Sequence, residues 1–282
     1  MRVTIFGATG LLGKALMGQA MRTEWGADQV SGFSTKDADI RDPRKVLDAV
    51  ERTRPDWIVL AAAYTDVDGC EANRELAFDV NCGGAGHVAE AARQLGAKLL
   101  FVSTDYVFDG KNTTPYETDA LRAPRSVYGQ SKAEAEILLT QLLPECCIAR
   151  TSWLFGAGGK CFPDTILKLA ATRPEIEVVD DQRGSPTHTV DLARAIVQLC
   201  RAGAAGIVHA TNRGECTWFD FAQEVVRGAS SNTIVRPTTS AKFVRPAERP
   251  HYSVLSPKSL EKYGVAMPTW QEALRSYLAG RL

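Results

Sequence analysis

The chain has 282 residues, 45% hydrophobic and 23% charged, with 33 basic residues balancing 33 acidic ones. These are the proportions of a folded globular protein of one large or two ordinary domains, and they exclude a disordered chain. The formal net charge of +0 leaves no electrostatic footprint for nucleic acid or an anionic membrane surface.

No apolar run approaches the roughly 20 residues of a membrane-spanning helix, and the opening MRVTIFGATG lacks the long apolar stretch of a signal peptide. The expectation is a cytoplasmic protein. Val3–Phe6 reads as a strand and Leu11–Met21 as a helix. Between them lies Gly7-Ala8-Thr9-Gly10-Leu11-Leu12-Gly13, with glycines at i, i+3 and i+6. A strand, a glycine turn and a helix in that order form a phosphate cradle: the turn needs unusual φ, a pyrophosphate needs a close backbone, and the helix start offers free N–H groups. This predicts dinucleotide binding through Gly7, Thr9, Gly10, Leu11, Leu12 and Gly13.

Val30–Phe33 reads as the second strand. An acid at its end binds a ribose 2′-hydroxyl, but the chain runs Val30-Ser31-Gly32-Phe33-Ser34-Thr35-Lys36 with no acid before Asp37. Ser34, Thr35 and Lys36 either receive a 2′-phosphate or are solvated loop residues; the balance favours NADPH, with NADH as the alternative. Asp39 offers an acceptor to an adenine amine, and Ile40 an apolar face to its ring. Pro43–Arg52 reads as a helix opened by proline. Trp57–Ala62 is a buried strand, Asn73–Leu95 a helix stopping at Gly96, and Lys98–Ser103 a strand. Ser126–Leu142 is a helix and Cys147–Thr151 a strand. This alternation predicts an α/β fold: a Rossmann-like, doubly wound parallel sheet with helices on both faces.

After Trp153 the pattern becomes less regular. Gly156–Gly159 is a glycine-rich loop and Ile176–Val179 a short strand. Val190–Arg201 is a helix, and Ile207–Ala210 a strand able to rejoin the sheet. Thr217–Arg227 reads as a helix with Thr217 as its cap, Pro237–Pro257 as an ordered surface loop, and Pro268–Leu278 as the last helix. The organisation expected is a dinucleotide-binding domain over residues 1–155, rejoined by about 188–210, and a smaller substrate-binding lobe over 156–282.

Tyr128 and Lys132 are four apart, hence on one helical face. An ammonium beside a phenol stabilises the phenolate, bringing a group of ordinary pKa about 10 toward useful proton exchange. Thr104 ends the fourth strand, where ligands of parallel sheets bind, and offers a hydroxyl to the same substrate oxygen. Thr104, Tyr128 and Lys132 are therefore the candidate catalytic set. The seven cysteines show no C-x-x-C and the four histidines no His or Cys partner at i+3 or i+4, so no metal site is expected.

The glycine turn, strand-end hydroxyl and Tyr/Lys helix resemble the extended short-chain dehydrogenase/reductase superfamily. Finer stretches resemble its dTDP-4-dehydrorhamnose reductase family: Ala61 to Asp68, Ser103 to Gly110, Arg150 to Trp153, Asp181 to Thr187, and Arg249-Pro250. The likeness spans essentially the whole chain. It implies reduction of the C4 ketone of dTDP-4-dehydro-β-L-rhamnose by NADPH or NADH. It implies that Gly10, Leu11 and Leu12 hold the pyrophosphate, Asp39 and Ile40 the adenine end, and Ala62, Ala63, Tyr64 and Thr65 line the cofactor. Tyr128 then protonates the new alkoxide, Lys132 tunes Tyr128 and binds the nicotinamide ribose, and Thr104 orients the ketone. Thr104, Asp105, Trp153 and Arg249 contact the sugar.

Cys161 stands where the family usually has Asn, and Arg183 is either a diphosphate partner or an ordinary exposed arginine. The partner implied is a nucleotide sugar, with no nucleic acid and no membrane, and the chain a monomer or homodimer. Two other readings remain open: a reductase of another nucleotide-linked 4-keto-deoxysugar, or a non-catalytic regulatory subunit resembling the methionine adenosyltransferase β subunit.

Overall fold

Strands covered by helices on both faces are written as continuous apolar runs. In the computed structural model, which describes residues 1–26 and 29–280, the first half of the chain follows this rule. The last two residues of the expected lobe lie outside that range. In chain order the first half comprises β1 (Arg2–Phe6), α1 (Leu11–Met17), α2 (Gln19–Trp25), β2 (Gln29–Phe33), α3 (Pro43–Thr53), β3 (Trp57–Leu60), α4 (Val67–Ala72), α5 (Arg74–Phe78), α6 (Gly84–Leu95), β4 (Lys98–Thr104), α7 (Val127–Leu142) and β5 (Cys147–Thr151). All of β3 and β5 is buried.

The second half comprises β6 (Leu154–Phe155), α8 (Phe162–Ala170), β7 (Glu175–Val179), β8 (Arg183–Gly184), β9 (Thr187–His188), α9 (Thr189–Arg201), β10 (Gly206–His209), β11 (Cys216–Thr217), α10 (Trp218–Gly228), β12 (Ile234–Thr238), α11 (Lys258–Glu261) and α12 (Trp270–Ala279). The main sheet is parallel, in the order β10-β5-β4-β3-β1-β2. The chain reverses its direction of winding at β1, so a crevice opens beyond the carboxyl ends of β1 and β3, the place where such sheets bind ligands.

One face of the sheet is packed by α1, α2 and α9, through Leu12, Leu16, Trp25, Leu192, Ile196 and Leu199. The other is packed by α3, α6 and α7, through Val46, Val50, Val88, Ala92 and Leu139. A separate apolar cluster joins α8, α10 and α12 around Phe155, Ile166, Phe221, Trp270 and Tyr277.

Helices α4 and α8 and strand β12 arise where the sequence reading placed no element, and three expected elements take another form. The first helix breaks at Gly18, whose φ −59 and ψ 152 are not helical, giving α1 and α2. The strand expected to reach Ala62 ends at Leu60, because the backbone beyond it turns to meet Gly7. The long helix over 73–95 contains a π-helical turn at Asp79–Gly83 between α5 and α6. Such a bulge inserts one extra residue and commonly re-aims a side chain at a functional site.

Candidate active site

The glycines of the first turn do different work. Gly7 has φ +89, and a Cβ there would stand 2.5 Å from Ala62 N. A Cβ on Gly13 would stand 2.0 Å from the Gly7 carbonyl oxygen. Both are required by the protein's own packing. Gly10 is not: its φ is −71, and a Cβ would touch only the Gly7 oxygen, at 3.3 Å. Gly10 instead lines a cavity of about 400 Å³, and as the N-cap of α1 it supplies no side-chain cap. The α1 start therefore presents unpaired N–H groups to that cavity, the donor set a pyrophosphate requires. The residues present fit a dinucleotide.

Leu11, Leu12, Gly13, Ala63, Thr65, Thr104, Asp105, Tyr128, Lys132 and Trp153 line the same cavity. Ser126 caps α7 by accepting from Gly129 N, and the helix then aims Tyr128 and Lys132 at the end of β4. The Thr104 hydroxyl stands beside the Tyr128 phenol and donates to Asp105 Oδ1 at 3.0 Å. Lys132 is only 2% exposed; its Nζ donates to the Val102 carbonyl at 2.8 Å and lies 3.7 Å from the centre of the Phe101 ring. Burial lowers its pKa to about 7, opposed by the attraction of Glu136.

Lys132 does not bring the Tyr128 phenol below its ordinary pKa. Withdrawal from water pushes the phenol up, with the neighbouring Asp105 carboxyl acting in the same direction and the Thr104 hydrogen bond against it. The Lys132 ammonium is directed at the Val102 carbonyl. A phenol that holds its proton suits a proton donor, the role reduction requires. Burial also raises Asp105, to about 6, against hydrogen bonds that lower it. Its Oδ2 and the neighbouring Ser253 hydroxyl are both buried without a hydrogen bond of ordinary geometry.

Trp153 adopts φ +47, an uncommon and costly conformation for a bulky side chain. Its indole stacks on Trp218 with centroids 3.5 Å apart and planes 5° from parallel. Gly184 leaves room for it: a Cβ there would lie 2.5 Å from the indole. Trp218 opens α10, which Thr217 and Asp220 close with a reciprocal capping box.

Other predicted residues lie outside the cavity lining. Asp39 is gripped by Arg41, with a 2.6 Å contact from Nη2, so its carboxylate enters any ligand contact already paired. The Ile40 side chain is buried against Gly84 of α6 rather than offering an open face to an adenine ring. Ser34 donates from both Oγ and N to Asp37 Oδ2, at 2.6 and 3.0 Å, so that hydroxyl is engaged within its own turn. Arg249 is not in the lining: its guanidinium clasps Asp68 and the Ala247 carbonyl, tying the strap after β12 to α4. The Cys161 thiol packs 3.4 Å from the Tyr277 hydroxyl in the apolar cluster of α8, α10 and α12, and Arg183 faces Glu215 at 3.4 Å. Gly7, Thr9, Ala62 and Tyr64 lie outside the lining.

Three residues were not singled out from the sequence. Asn81, 1% exposed on the π turn, accepts from Tyr64 N at 2.8 Å, and its Nδ2 donates to Tyr64 O and to Ser131 Oγ. Ser131 in turn donates to the Tyr128 carbonyl. One amide thus holds the segment after β3 to the helix that carries Tyr128. Glu136, fully buried, and Trp218 are the others. Glu136 was within reach, since it follows Lys132 by four residues on the same face; nothing local marks Trp218.

Among the described residues no helix is long and apolar enough to cross a membrane, and no cluster of His, Cys, Asp and Glu has metal-holding geometry. The family model described as the RmlD substrate binding domain matches residues 1–281. The Mycobacterium tuberculosis dTDP-4-dehydrorhamnose reductase is 40% identical over 99% of this chain and 92% of its own length. A probable dTDP-4,6-dihydroxy-2-methyloxan-3-one 4-ketoreductase of Streptomyces antibioticus is 41% identical over 98% of this chain and 94% of its own. The crystal structure of Bacillus anthracis dTDP-4-dehydrorhamnose reductase in complex with NADP superposes with a TM-score of 0.95 at 38% identity, covering 99% of each chain. With its crevice, its Tyr/Lys helix and a family match over nearly its full length, this chain belongs to the RmlD family of dTDP-4-dehydrorhamnose reductases.

Proposed function

We propose that this chain reduces the C4 ketone of dTDP-4-dehydro-β-L-rhamnose to the C4 alcohol of dTDP-L-rhamnose, with NADPH as reductant and NADH as a weaker substitute. The observation that carries the reading is one cavity lined by the α1 start, Thr104, Asp105, Tyr128, Lys132 and Trp153. A reduced nicotinamide, when bound, supplies the hydride that the ketone carbon accepts. The protein supplies the rest. The α1 N–H groups and Gly10 hold the pyrophosphate. Tyr128, and Thr104 once its hydroxyl turns from Asp105, donate hydrogen bonds to the ketone oxygen and stabilise the charge that builds on it. Tyr128 gives up its proton to that oxygen, and the Lys132 ammonium compensates the phenolate left behind. Trp153 sets an apolar face against the methylated sugar. Displacement of water from the cavity by a bound nucleotide sugar and cofactor strengthens each of these polar interactions.

The test is oxidation of NADPH, followed by its absorbance, with dTDP-4-dehydro-L-rhamnose generated in situ, and repeated with NADH. Turnover at least ten times faster than with other dTDP-linked 4-keto-deoxysugars supports the assignment. Equal or faster turnover of another such sugar moves it to the second reading, which the similarity to the Streptomyces antibioticus protein favours. Cofactor binding without turnover of any keto-sugar favours a regulatory role.

A further inference from the structure

The face of α7 that carries Tyr128 and Lys132 continues one turn further to Glu136, a carboxylate with no exposure. Four donors converge on it. Arg150 of β5, also fully buried, donates through Nε and Nη2 at 2.9 and 2.6 Å. Ser103 Oγ donates at 2.6 Å. Arg122, which is partly exposed, donates at 3.3 Å. Ser103 immediately precedes Thr104, so this carboxylate fastens the end of β4 to the helix bearing the proton donor.

We propose that Glu136 is a positioning residue for the reduction, its carboxylate holding the charge on Lys132 and locking the Thr104 strand end against the Tyr128 helix. This rests on the reductase reading above. The charged and titratable groups that face the Tyr128–Lys132–Glu136 stripe of α7 are Asp105 and Tyr106 beyond β4 and Cys70 on α4 at its Tyr128 end, Arg122 in the preceding loop and Arg150 on β5 at its Glu136 end, and His209 on β10 behind Arg150. Three of these close groups, counting Lys132 itself, are cations. Glu136 is the carboxylate that directly pairs the two arginines, whereas Asp105, ionised above about pH 6, sits at the other end of the stripe beside Thr104. Arg122 and Arg150 hydrogen-bond the same carboxylate, and their positive charges offset part of what it offers Lys132. A desolvated ammonium whose pKa already sits near 7 is sensitive to either change.

Losing the Lys132 proton removes the compensation for the Tyr128 phenolate, so the alkaline limb of kcat/KM follows Lys132. The two perturbations carry opposite signs. Glu136→Gln keeps the shape and removes the negative charge, and moves the limb to lower pH by about one unit. Arg122→Met removes a positive charge from a partly exposed site, and moves the limb to higher pH by a few tenths of a unit. A role confined to packing lowers activity at every pH and moves neither limb. The same shifts are read without turnover by titrating [13Cε]lysine-labelled protein, with the Lys132 resonance assigned by its loss in Lys132→Met.

Opposite displacements of the two variants support the proposal; unmoved limbs, or displacement in the same direction, overturn it. If Glu136→Gln does not fold because Arg150 is left unpaired, Arg122→Met decides alone: an unmoved or lowered limb overturns the proposal. Failure of the wild type to reduce any keto-sugar overturns the reductase reading, while the labelled-lysine titration still judges Glu136.

Discussion

Alanine at Gly10 and at Gly13 separates a glycine kept for a ligand from one kept for the fold. At Gly13 the new methyl carbon would lie 2.0 Å from the Gly7 oxygen and 2.7 Å from Ala8 Cα. Both neighbours are backbone, pinned by hydrogen bonds from Gly7 N and Ala8 N to the Phe33 carbonyl at 2.9 and 3.1 Å. The turn must shift by on the order of 1 Å, and overpacking of this kind costs about 1–3 kcal/mol. At roughly 2–4 °C per kcal/mol for a chain of this size, Tm falls by about 2–12 °C. At Gly10 the methyl has one neighbour, at 3.3 Å, and φ −71 suits alanine. Stability changes by about 0.5 kcal/mol or less, since the weaker N-cap is offset by reduced freedom of the unfolded chain. The methyl projects into the cavity where a pyrophosphate approaches, so Kd for NADPH rises about 10- to 100-fold, or about 1.4–2.8 kcal/mol. Thermal unfolding without nucleotide and calorimetric titration with NADPH measure the two effects separately. Wild-type NADPH affinity in Gly10→Ala refutes the cradle assignment, and a wild-type Tm in Gly13→Ala refutes the packing argument.

Three further outcomes follow from the site. Tyr128→Phe lowers kcat by about 10²–10⁴-fold while leaving NADPH affinity within a factor of about three; unchanged turnover removes Tyr128 from the proton step. Asp105 has its folded pKa raised from 3.8 to about 6 by burial. It therefore takes stability away as pH rises through that interval, by about 3 kcal/mol in full. Asp105→Asn is accordingly more stable than wild type at pH 8 and about equal near pH 4 in thermal unfolding, with a higher KM for the sugar; equal stability at both pH values contradicts it. Trp218→Leu removes the surface that holds the strained Trp153, so KM rises about 3- to 10-fold and the near-UV circular dichroism couplet of the stacked indoles disappears. Retention of that couplet shows that another pair produces it.

Features legible in the sequence are those whose partners are close along the chain. Gly7, Gly10 and Gly13 announce the turn, and the i, i+4 spacing of Tyr128 and Lys132 announces a shared face. The caps at Ser126 and Thr217 stand next to the helices they open. Other features depend on contacts made only after folding. Arg249 looks available for substrate until its engagement with Asp68, far away in sequence, is visible. Ile40 reads as a surface for adenine until Gly84 lets α6 close over it. The π turn at Asp79–Gly83 is hidden in an alanine-rich segment of helical spacing, because what favours it is the set of hydrogen bonds Asn81 makes with Tyr64 and Ser131. The direction of the Tyr128 shift is likewise a property of the burial of its phenol in the fold rather than of the i, i+4 spacing.

The glycine cradle is early in sequence and late in construction. α1 rests on α9, and β5 is a bare edge of the sheet until β10 pairs with it through Gly206 to His209. A ribosome that has already delivered Gly7–Gly13 and the first five strands still has to synthesise residues 152–209 before either gap is filled. At about 5–20 residues per second this leaves an apolar strand edge open for several seconds. During that interval the nascent chain is a natural client for a chaperone. For the same reason, we expect an expression fragment cut near Phe155, which holds every residue of the glycine turn but lacks β10, to aggregate.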